Sequence, residues 1–122
     1  MKILICDDNE SNRLLHKTVI RRLAPDSIIE TAIDGEVGLW KARFASISFD
    51  LIVTDYNMPK LNGGEMIQEI RKFQPKILSI CITSDDTYKH ETEFDFSIRK
   101  PITKEELRIT LIKLLMKKRN EL

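Results

Sequence analysis

The sequence predicts a single α/β domain built on a five-stranded parallel sheet, with helices on both faces in a three-layer sandwich. Short apolar runs alternate with longer amphipathic stretches, which is typical of strands joined by helical crossovers. The 122 residues suffice for one hydrophobic core and are too few for two. No repeat, linker or low-complexity stretch divides the chain, so residues 1–122 are expected to form one domain.

Five short apolar runs are the predicted strands. The first, third and fourth runs are apolar almost throughout, which indicates parallel strands covered on both faces. In chain order, the predicted strands are residues 2–6, 27–32, 51–54, 77–83 and 96–99.

Four amphipathic stretches are the predicted helices, at residues 10–24, 35–47, 63–73 and 104–119. The last helix has a clear start, because Thr103 as N-cap and Glu106 three residues later form a capping box just after Pro101. One apolar face of this helix is predicted to join the core, through Leu107, Leu111, Leu114 and Leu115.

Composition and charge exclude several classes of protein. Twenty Lys and Arg residues against 19 Asp and Glu give a net charge of +1, which argues against direct contact with nucleic acid or an anionic membrane surface. No apolar run approaches the ~20 residues of a membrane span, and the N-terminal run is too short for a signal peptide. Cys6 and Cys81 lie in apolar runs, so we expect buried thiols in a reducing cytoplasm.

Four of the predicted strands end in charged or hydroxyl-bearing residues. Asp7 and Asp8 follow the first strand, and Asp55 follows the third. The fourth strand ends in Thr83, and Lys100 follows the fifth. In open parallel sheets, ligands bind beyond the carboxyl ends of the strands, where the strand order reverses. The sequence therefore predicts a site in which three carboxylates, a hydroxyl and an ammonium group converge on one edge of the sheet.

These groups fit the chemistry of phosphoryl transfer. Three neighbouring carboxylates repel one another unless a cation is present, and oxygen ligands suit Mg²⁺. Lys100 and Thr83 supply a positive charge and a hydroxyl donor for a phosphoryl group. Because no glycine-rich phosphate loop is present, we expect an aspartate to become an acyl phosphate itself. Asp55 is best placed, since it ends the middle strand and precedes a turn, Asn57-Met58-Pro59, that can offer a backbone carbonyl to the metal.

These residues resemble the receiver domain of two-component response regulators. The resemblance covers essentially the whole chain and rests on four motifs, Asp7-Asp8-Asn9, the nine residues from Asp55 to Gly63 (Asp-Tyr-Asn-Met-Pro-Lys-Leu-Asn-Gly), Thr83-Ser84 and Lys100-Pro101. It implies the flavodoxin-like fold with sheet order 2-1-3-4-5. It also implies transfer of a phosphoryl group from the phosphohistidine of a histidine kinase or a histidine phosphotransfer protein.

The same resemblance implies a role for each site residue. Asp55 is the implied phospho-acceptor, and Thr83 and Lys100 would contact the phosphoryl oxygens. The implied Mg²⁺ site consists of Asp7, Asp8, Asp55 and the carbonyl of Asn57, with Asp8 rather than Asp7 as the direct ligand. The protein is then a signalling domain rather than an enzyme. This domain would assist its own phosphorylation and dephosphorylation and act through an unidentified downstream protein.

The chain departs from the family pattern between the fourth strand and Lys100. Residues 84–95 are short and polar and lack a helical apolar period, so we expect the family's fourth helix to be shortened or irregular, and to be ordered by phosphorylation. Ser97 stands where the family has an aromatic residue, and Phe96 and Tyr88 are the candidates to replace it. Glu93 and Phe94 stand where the family has a Gly-Ala pair.

Two apolar stripes lie outside the predicted core faces. One is on the last helix (Ile109, Ile112, Met116) and one on the second helix (Val37, Trp40, Phe44). Either stripe is covered by neighbouring helices or forms a docking or dimer surface, and a homodimer through the last helix is one candidate. His16, within the first helix, is expected on the surface.

Two rival functions use the same fold. The first is a phosphate-independent interaction module, which the short 84–95 segment favours and the complete acidic site opposes. The second is an aspartyl-phosphate phosphohydrolase acting on small molecules. It ranks last, because that chemistry needs a second carboxylate close after the nucleophile and position 57 is Asn.

Overall fold

The structure, a computed structural model, describes residues 1–84 and 93–120, with side chains up to residue 118. Strands and helices alternate in these ranges as the apolar runs and amphipathic stretches predict. The elements are β1 (Lys2–Cys6), α1 (Glu10–Leu23), β2 (Ile28–Ala32), α2 (Gly35–Phe44), β3 (Leu51–Thr54), α3 (Gly63–Arg71), β4 (Leu78–Thr83), β5 (Phe96–Arg99) and α4 (Lys104–Asn120).

The five strands form one parallel sheet in the order β2-β1-β3-β4-β5, which confirms the predicted topology. In the register of the sheet, Cys6 pairs with Ala32 on one side and with Thr54 on the other. Thr54 in turn pairs with Cys81 of β4. The carboxyl ends of β1, β2 and β3 therefore lie level with one another, which positions the residues that follow them.

Each face of the sheet carries its own apolar core. Alternate residues of a strand point to opposite faces, so Ile5 contributes to the core under α1 and α4, whereas Leu4 contributes to the core under α2 and α3. Cys6 and Cys81 are buried free thiols in the second core, as expected. Two helices on each face give the three-layer sandwich.

Helix α4 confirms its predicted start and corrects one predicted core residue. The Glu106 amide donates to the Thr103 hydroxyl at 3.0 Å, and the Thr103 amide donates to the Glu106 carboxylate at 3.4 Å, which completes the capping box. Leu107, Leu111 and Leu114 are buried, but Leu115 is 48% exposed. Leu115 lies at the edge of the apolar face, where it lines the mouth of a cavity of about 250 Å³ between α1 and α4.

The orientation of strand β5 shows whether Phe96 can take the place of the aromatic residue that the family has at position 97. Phe96 packs against the core under α1 and α4, whereas Ser97 is exposed on the opposite side of the strand. The expectation that Phe96 replaces the missing aromatic is therefore wrong. Phe94 is instead buried in the core under α2 and α3. Tyr88 and the expected short fourth helix lie outside the described residues.

Val37 packs against the core under α2 and α3, but the other five side chains of the two apolar stripes are not covered by the described part of the chain. Ile109, Ile112 and Met116 are between 41% and 60% exposed, and Trp40 and Phe44 are 62% and 65% exposed. Of the two alternatives left open for the stripes, coverage by the helices of the described ranges does not hold for these five side chains, which leaves them available for contacts. None of the helices in the described ranges is both long enough and apolar enough to cross a membrane.

Neighbouring leucines on α4 give a matched test of this packing. We expect Leu114→Ala to lower the free energy of unfolding by about 2–4 kcal/mol, because Leu114 is fully buried and its truncation leaves a cavity. Leu115→Ala, with the same change of volume at a half-exposed position, should lower it by less than about 1 kcal/mol. Urea denaturation of both variants measures the difference, and equal losses would contradict the assigned orientation of the helix.

Candidate functional site

Backbone pairing brings three carboxylates to one edge of the sheet. Asp7 and Asp55 follow β1 and β3, and the Asp55 amide donates to the Cys6 carbonyl at 2.9 Å. The Asp7 amide donates to the Ala32 carbonyl at 3.2 Å, which ties the same turn to β2. As a result, carboxylate oxygens of Asp7, Asp8 and Asp55 all lie within 4.8 Å of one another.

The two consecutive aspartates have different environments. Asp7 is buried, and one of its carboxylate oxygens accepts from the Asn9 amide at 2.9 Å while the other accepts from Lys100 at 3.1 Å. Asp8 is exposed to solvent. Asp7 therefore has two fixed partners inside the fold, whereas Asp8 is the exposed carboxylate of the cluster.

The Lys100 ammonium group bridges two of the three carboxylates. Its Nζ atom lies 3.1 Å from Asp7 and 3.2 Å from Asp55. The Lys100 amide donates to the Thr83 carbonyl at 2.9 Å, which joins the end of β5 to the end of β4, and the peptide bond to Pro101 is cis. The ammonium group offsets part of the repulsion between the carboxylates.

Burial and neighbouring charge have opposing effects on the pKa values of Asp55 and Lys100, and the net shift is upward for both. Burial raises the pKa of Asp55 above its usual value, and the positive charge of Lys100 offsets only part of this rise. For Lys100, burial alone would lower the pKa, but attraction to Asp55 and Asp7 and hydrogen bonds to both outweigh it, so the pKa is raised. Lys100 therefore stays charged beside Asp55 at neutral pH.

The other two predicted site residues lie at the same edge. Thr83 is buried at the end of β4, the neighbour of β3 in the sheet. Asn57 is exposed in the turn after β3, where it lines a surface hollow of about 430 Å³ together with Asp8. Of the three clustered carboxylates, only that of Asp8 lines this hollow.

Gly63 holds the turn after β3 against the site. Its amide donates to the Tyr56 carbonyl at 2.8 Å. A Cβ atom at this position would lie 2.4 Å from the Asp55 carbonyl oxygen, so only glycine allows this approach. Helix α3 then starts with a capping box between Asn62 and Glu65, which fixes the far end of the turn.

Helix α1 contributes one supporting residue that the sequence did not single out, Arg13, and buries a histidine that was expected on the surface. Arg13 donates to the Asp7 carbonyl at 2.7 Å and so braces the turn after β1. His16 is 3% exposed, so the expectation of a surface histidine is wrong. His16 lies one helical turn before buried Ile20, and this i, i+4 spacing is the signal that predicts an inward side chain. No comparable sequence signal identifies Arg13.

Comparisons with known proteins agree with this geometry. Over 119 residues the chain is 27% identical to the two-component response regulator ORR41 of Oryza sativa subsp. japonica, with 93% of each covered. Over 120 residues it is 32% identical to the sensor protein EvgS of Escherichia coli, covering 93% of this chain and 10% of EvgS. Among solved structures, the response regulator TrrA of Thermotoga maritima, in complex with Mg²⁺ and BeF, is 31% identical to this chain. Its TM-score is 0.81, and the match covers 93% of this chain and 97% of TrrA.

Fold and site together define an α/β signalling domain of the two-component type. Residues 3–114 match the family model described as the response regulator receiver domain, and the chain belongs to that family. Phosphorelay signal transduction is accordingly its function, and it is a signalling domain rather than a classical enzyme.

The buried position of His16 predicts a pH dependence of stability. Burial lowers the pKa of His16, with a smaller opposing effect from Asp7 and a further lowering from Lys100. Below the ordinary histidine pKa of about 6.5 the unfolded chain binds a proton that the folded chain does not. The stability from neutral His16 is therefore present above that pH and is lost as the pH falls.

We expect the free energy of unfolding to fall less steeply with decreasing pH in His16→Gln than in the unaltered protein. The difference in slope has an upper limit of ~1.4 kcal/mol per pH unit, the value for one proton. Urea denaturation between about pH 5.5 and pH 7.5 measures it, because this range spans the ordinary histidine pKa. Parallel pH profiles for the two proteins would show that His16 titrates alike in the folded and unfolded states.

Proposed function

We propose that Asp55 accepts a phosphoryl group from the phosphohistidine of a histidine kinase or a histidine phosphotransfer protein. The observation that carries this proposal is the contact of the Asp55 carboxylate with the Lys100 ammonium group at 3.2 Å, inside a cluster of three carboxylates. A carboxylate beside a fixed positive charge at a strand end can attack phosphorus while the charge of the incoming group is balanced.

The transfer requires little from the protein beyond position and charge. A carboxylate oxygen of Asp55 forms the new bond to phosphorus as the bond from phosphorus to the donor imidazole nitrogen breaks, and the electron pair of that bond stays on the nitrogen. Lys100 balances negative charge on the phosphoryl oxygens, and the Thr83 hydroxyl donates to one of them. The product is an acyl phosphate on Asp55.

The donor set suits Mg²⁺. Oxygen atoms of Asp7, Asp8 and Asp55 lie close enough to share one small cation, and Asp8 is open to solvent beside the turn that carries Asn57. We assign the ion to Asp8, Asp55 and the Asn57 carbonyl. The buried Asp7 carboxylate would add negative charge next to these ligands. When bound, Mg²⁺ supplies positive charge that neutralises phosphoryl oxygens.

The same arrangement accounts for loss of the phosphoryl group. The hollow that Asp8 and Asn57 line borders the carboxylate cluster, so we expect water to reach the acyl phosphate from that side and to hydrolyse it slowly. The domain thereby assists both its own phosphorylation and its own dephosphorylation, in the cytoplasm where its donors act.

Output requires a surface that a second protein can bind. The α4 stripe of Ile109, Ile112 and Met116 is exposed and lies on the helix that directly follows Lys100 and Pro101. We propose that phosphorylation-dependent contacts form there, with a downstream protein or a second copy of the chain. Large exposed apolar side chains on one helix face are typical of such surfaces.

Intact-mass spectrometry after incubation with Mg²⁺ and acetyl phosphate tests the acceptor. We expect one added phosphoryl group on the unaltered protein and none on Asp55→Asn, because the amide cannot form the acyl phosphate. Asp50→Asn is the matched control, since Asp50 lies at the opposite edge of the sheet, before β3, and should leave the added mass unchanged. If the unaltered protein gained no phosphoryl group and bound no beryllofluoride, the phosphate-independent interaction module would replace this proposal.

Thermal unfolding with and without Mg²⁺ tests the metal assignment. At about 100 times its dissociation constant a ligand stabilises the folded state by ~2.7 kcal/mol, so Mg²⁺ should raise the midpoint by several degrees. We expect Asp8→Asn to lose most of this increase. Glu65→Gln should keep it, because Glu65 lines the same hollow outside the carboxylate cluster and Gln preserves the capping box. Equal increases in both variants would exclude Asp8 as a ligand.

A further inference from the structure

Helix α2 presents an outward face centred on Trp40. Gly38 and Ala42 are buried against the sheet, and Trp40 lies on the opposite side of the helix. Trp40 and Phe44 are 62% and 65% exposed, and their ring centroids are 5.4 Å apart. Exposed aromatic pairs of this kind are enriched at the centres of protein interfaces.

The same face carries one charge of each sign. Glu36 and Arg43 are both exposed and lie seven residues apart, so they share the face two turns from each other. The Arg43 guanidinium lies 5.6 Å from the centre of the Phe73 ring, which orients the side chain and leaves its edge free to pair. Neither charge has an ion-pair partner within residues 1–84 and 93–118.

We propose that α2 is a homodimer interface, in which two copies of the chain pack their α2 helices antiparallel with Trp40 at the two-fold axis. Trp40 lies beside the midpoint of Glu36 and Arg43, so the two-fold operation places Glu36 against the partner's Arg43 and Arg43 against the partner's Glu36. Phe44 then meets the partner's Val37 on the other flank of the helix. Each contact occurs twice, as a two-fold interface requires.

The pattern of charge favours a second copy over an unrelated partner. An acidic partner would meet Glu36 with like charge, and a basic partner would meet Arg43 with like charge. An antiparallel copy satisfies both ends at once, and its helix dipole also opposes that of the first helix. A parallel pairing would place Glu36 against Glu36 and is disfavoured.

This interface leaves both phosphorylation sites accessible. Helix α2 follows β2 and runs from the carboxyl edge of the sheet to its amino edge, so antiparallel packing places the two carboxylate clusters at opposite ends of the dimer. The α4 stripe lies on the other face of the sheet. The proposed contacts include no residue of the carboxylate cluster or of the α4 stripe, so we expect the dimer to form without phosphorylation of Asp55 and to leave the α4 stripe free.

Sedimentation equilibrium of the full chain tests the proposal, at micromolar to submillimolar concentrations without Mg²⁺ or phosphodonor. We expect a concentration-dependent monomer–dimer equilibrium. Arg43→Glu or Glu36→Arg alone should raise the dissociation constant about tenfold or more, because two ion pairs become two like-charge contacts. The double variant, Glu36→Arg with Arg43→Glu, should restore dimerisation, since the pairs re-form with exchanged signs.

Two further readouts separate this surface from others. Trp40 is the only tryptophan, so its fluorescence emission should shift to shorter wavelength as the dimer forms. Leu14→Glu, at an exposed position of α1, should leave the equilibrium unchanged. The proposal is overturned if the unaltered protein stays monomeric, if the double variant folds by circular dichroism but does not dimerise, or if Ile112→Glu abolishes dimerisation while the α2 variants do not.

Discussion

The parallel register of β1 with β3 is the constraint on which the site depends. Because Cys6 pairs with Thr54, the chain leaves both strands at the same level and Asp7 and Asp55 emerge side by side. Two carboxylates at this spacing repel each other, and burial makes the repulsion stronger. The ammonium group of Lys100, delivered from the end of β5, offsets that repulsion and makes the register compatible with a folded apo domain.

Much of this arrangement was predictable, because it depends on local sequence and on one topological rule. Apolar runs located all five strands, with starts displaced by one residue for β2 and β4. The rule that chemistry gathers at the carboxyl ends of parallel strands then brought Asp7, Asp55 and Lys100 together. What the sequence did not yield are features that depend on distances between elements. Leu115 is exposed and Leu114 buried only because Leu115 lies at the edge of the apolar face of α4. The hydrogen bond from Arg13 to the Asp7 carbonyl depends on how α1 packs against the sheet.

The start of β5 shows how a departure from the family pattern is compensated. Phe94 stands where the family has a small residue, and it is buried in the core under α2 and α3. Next to it, the Asp95 carboxylate accepts from the Ser79 amide at 2.9 Å and pairs with Arg71 of α3 and Lys117 of α4. These contacts anchor β5 to helices on both faces of the sheet, at the end of β4 opposite Thr83.

The contacts of Asp95 hold the start of β4, and this limits how phosphorylation would change the rest of the domain. Thr83 ends β4, the neighbour of the strand that leads to Asp55, whereas Ser79 at the start of β4 is held by Asp95. If Thr83 contacts the phosphoryl group as proposed, its movement would act on a strand whose other end is held by Asp95. Ser97 is exposed and Phe96 packs against the core under α1 and α4, so β5 has no aromatic side chain on the side of the strand where Ser97 lies. Under the proposal that the α4 stripe binds the partner, the signal would reach that surface without rotation of an aromatic side chain at position 97.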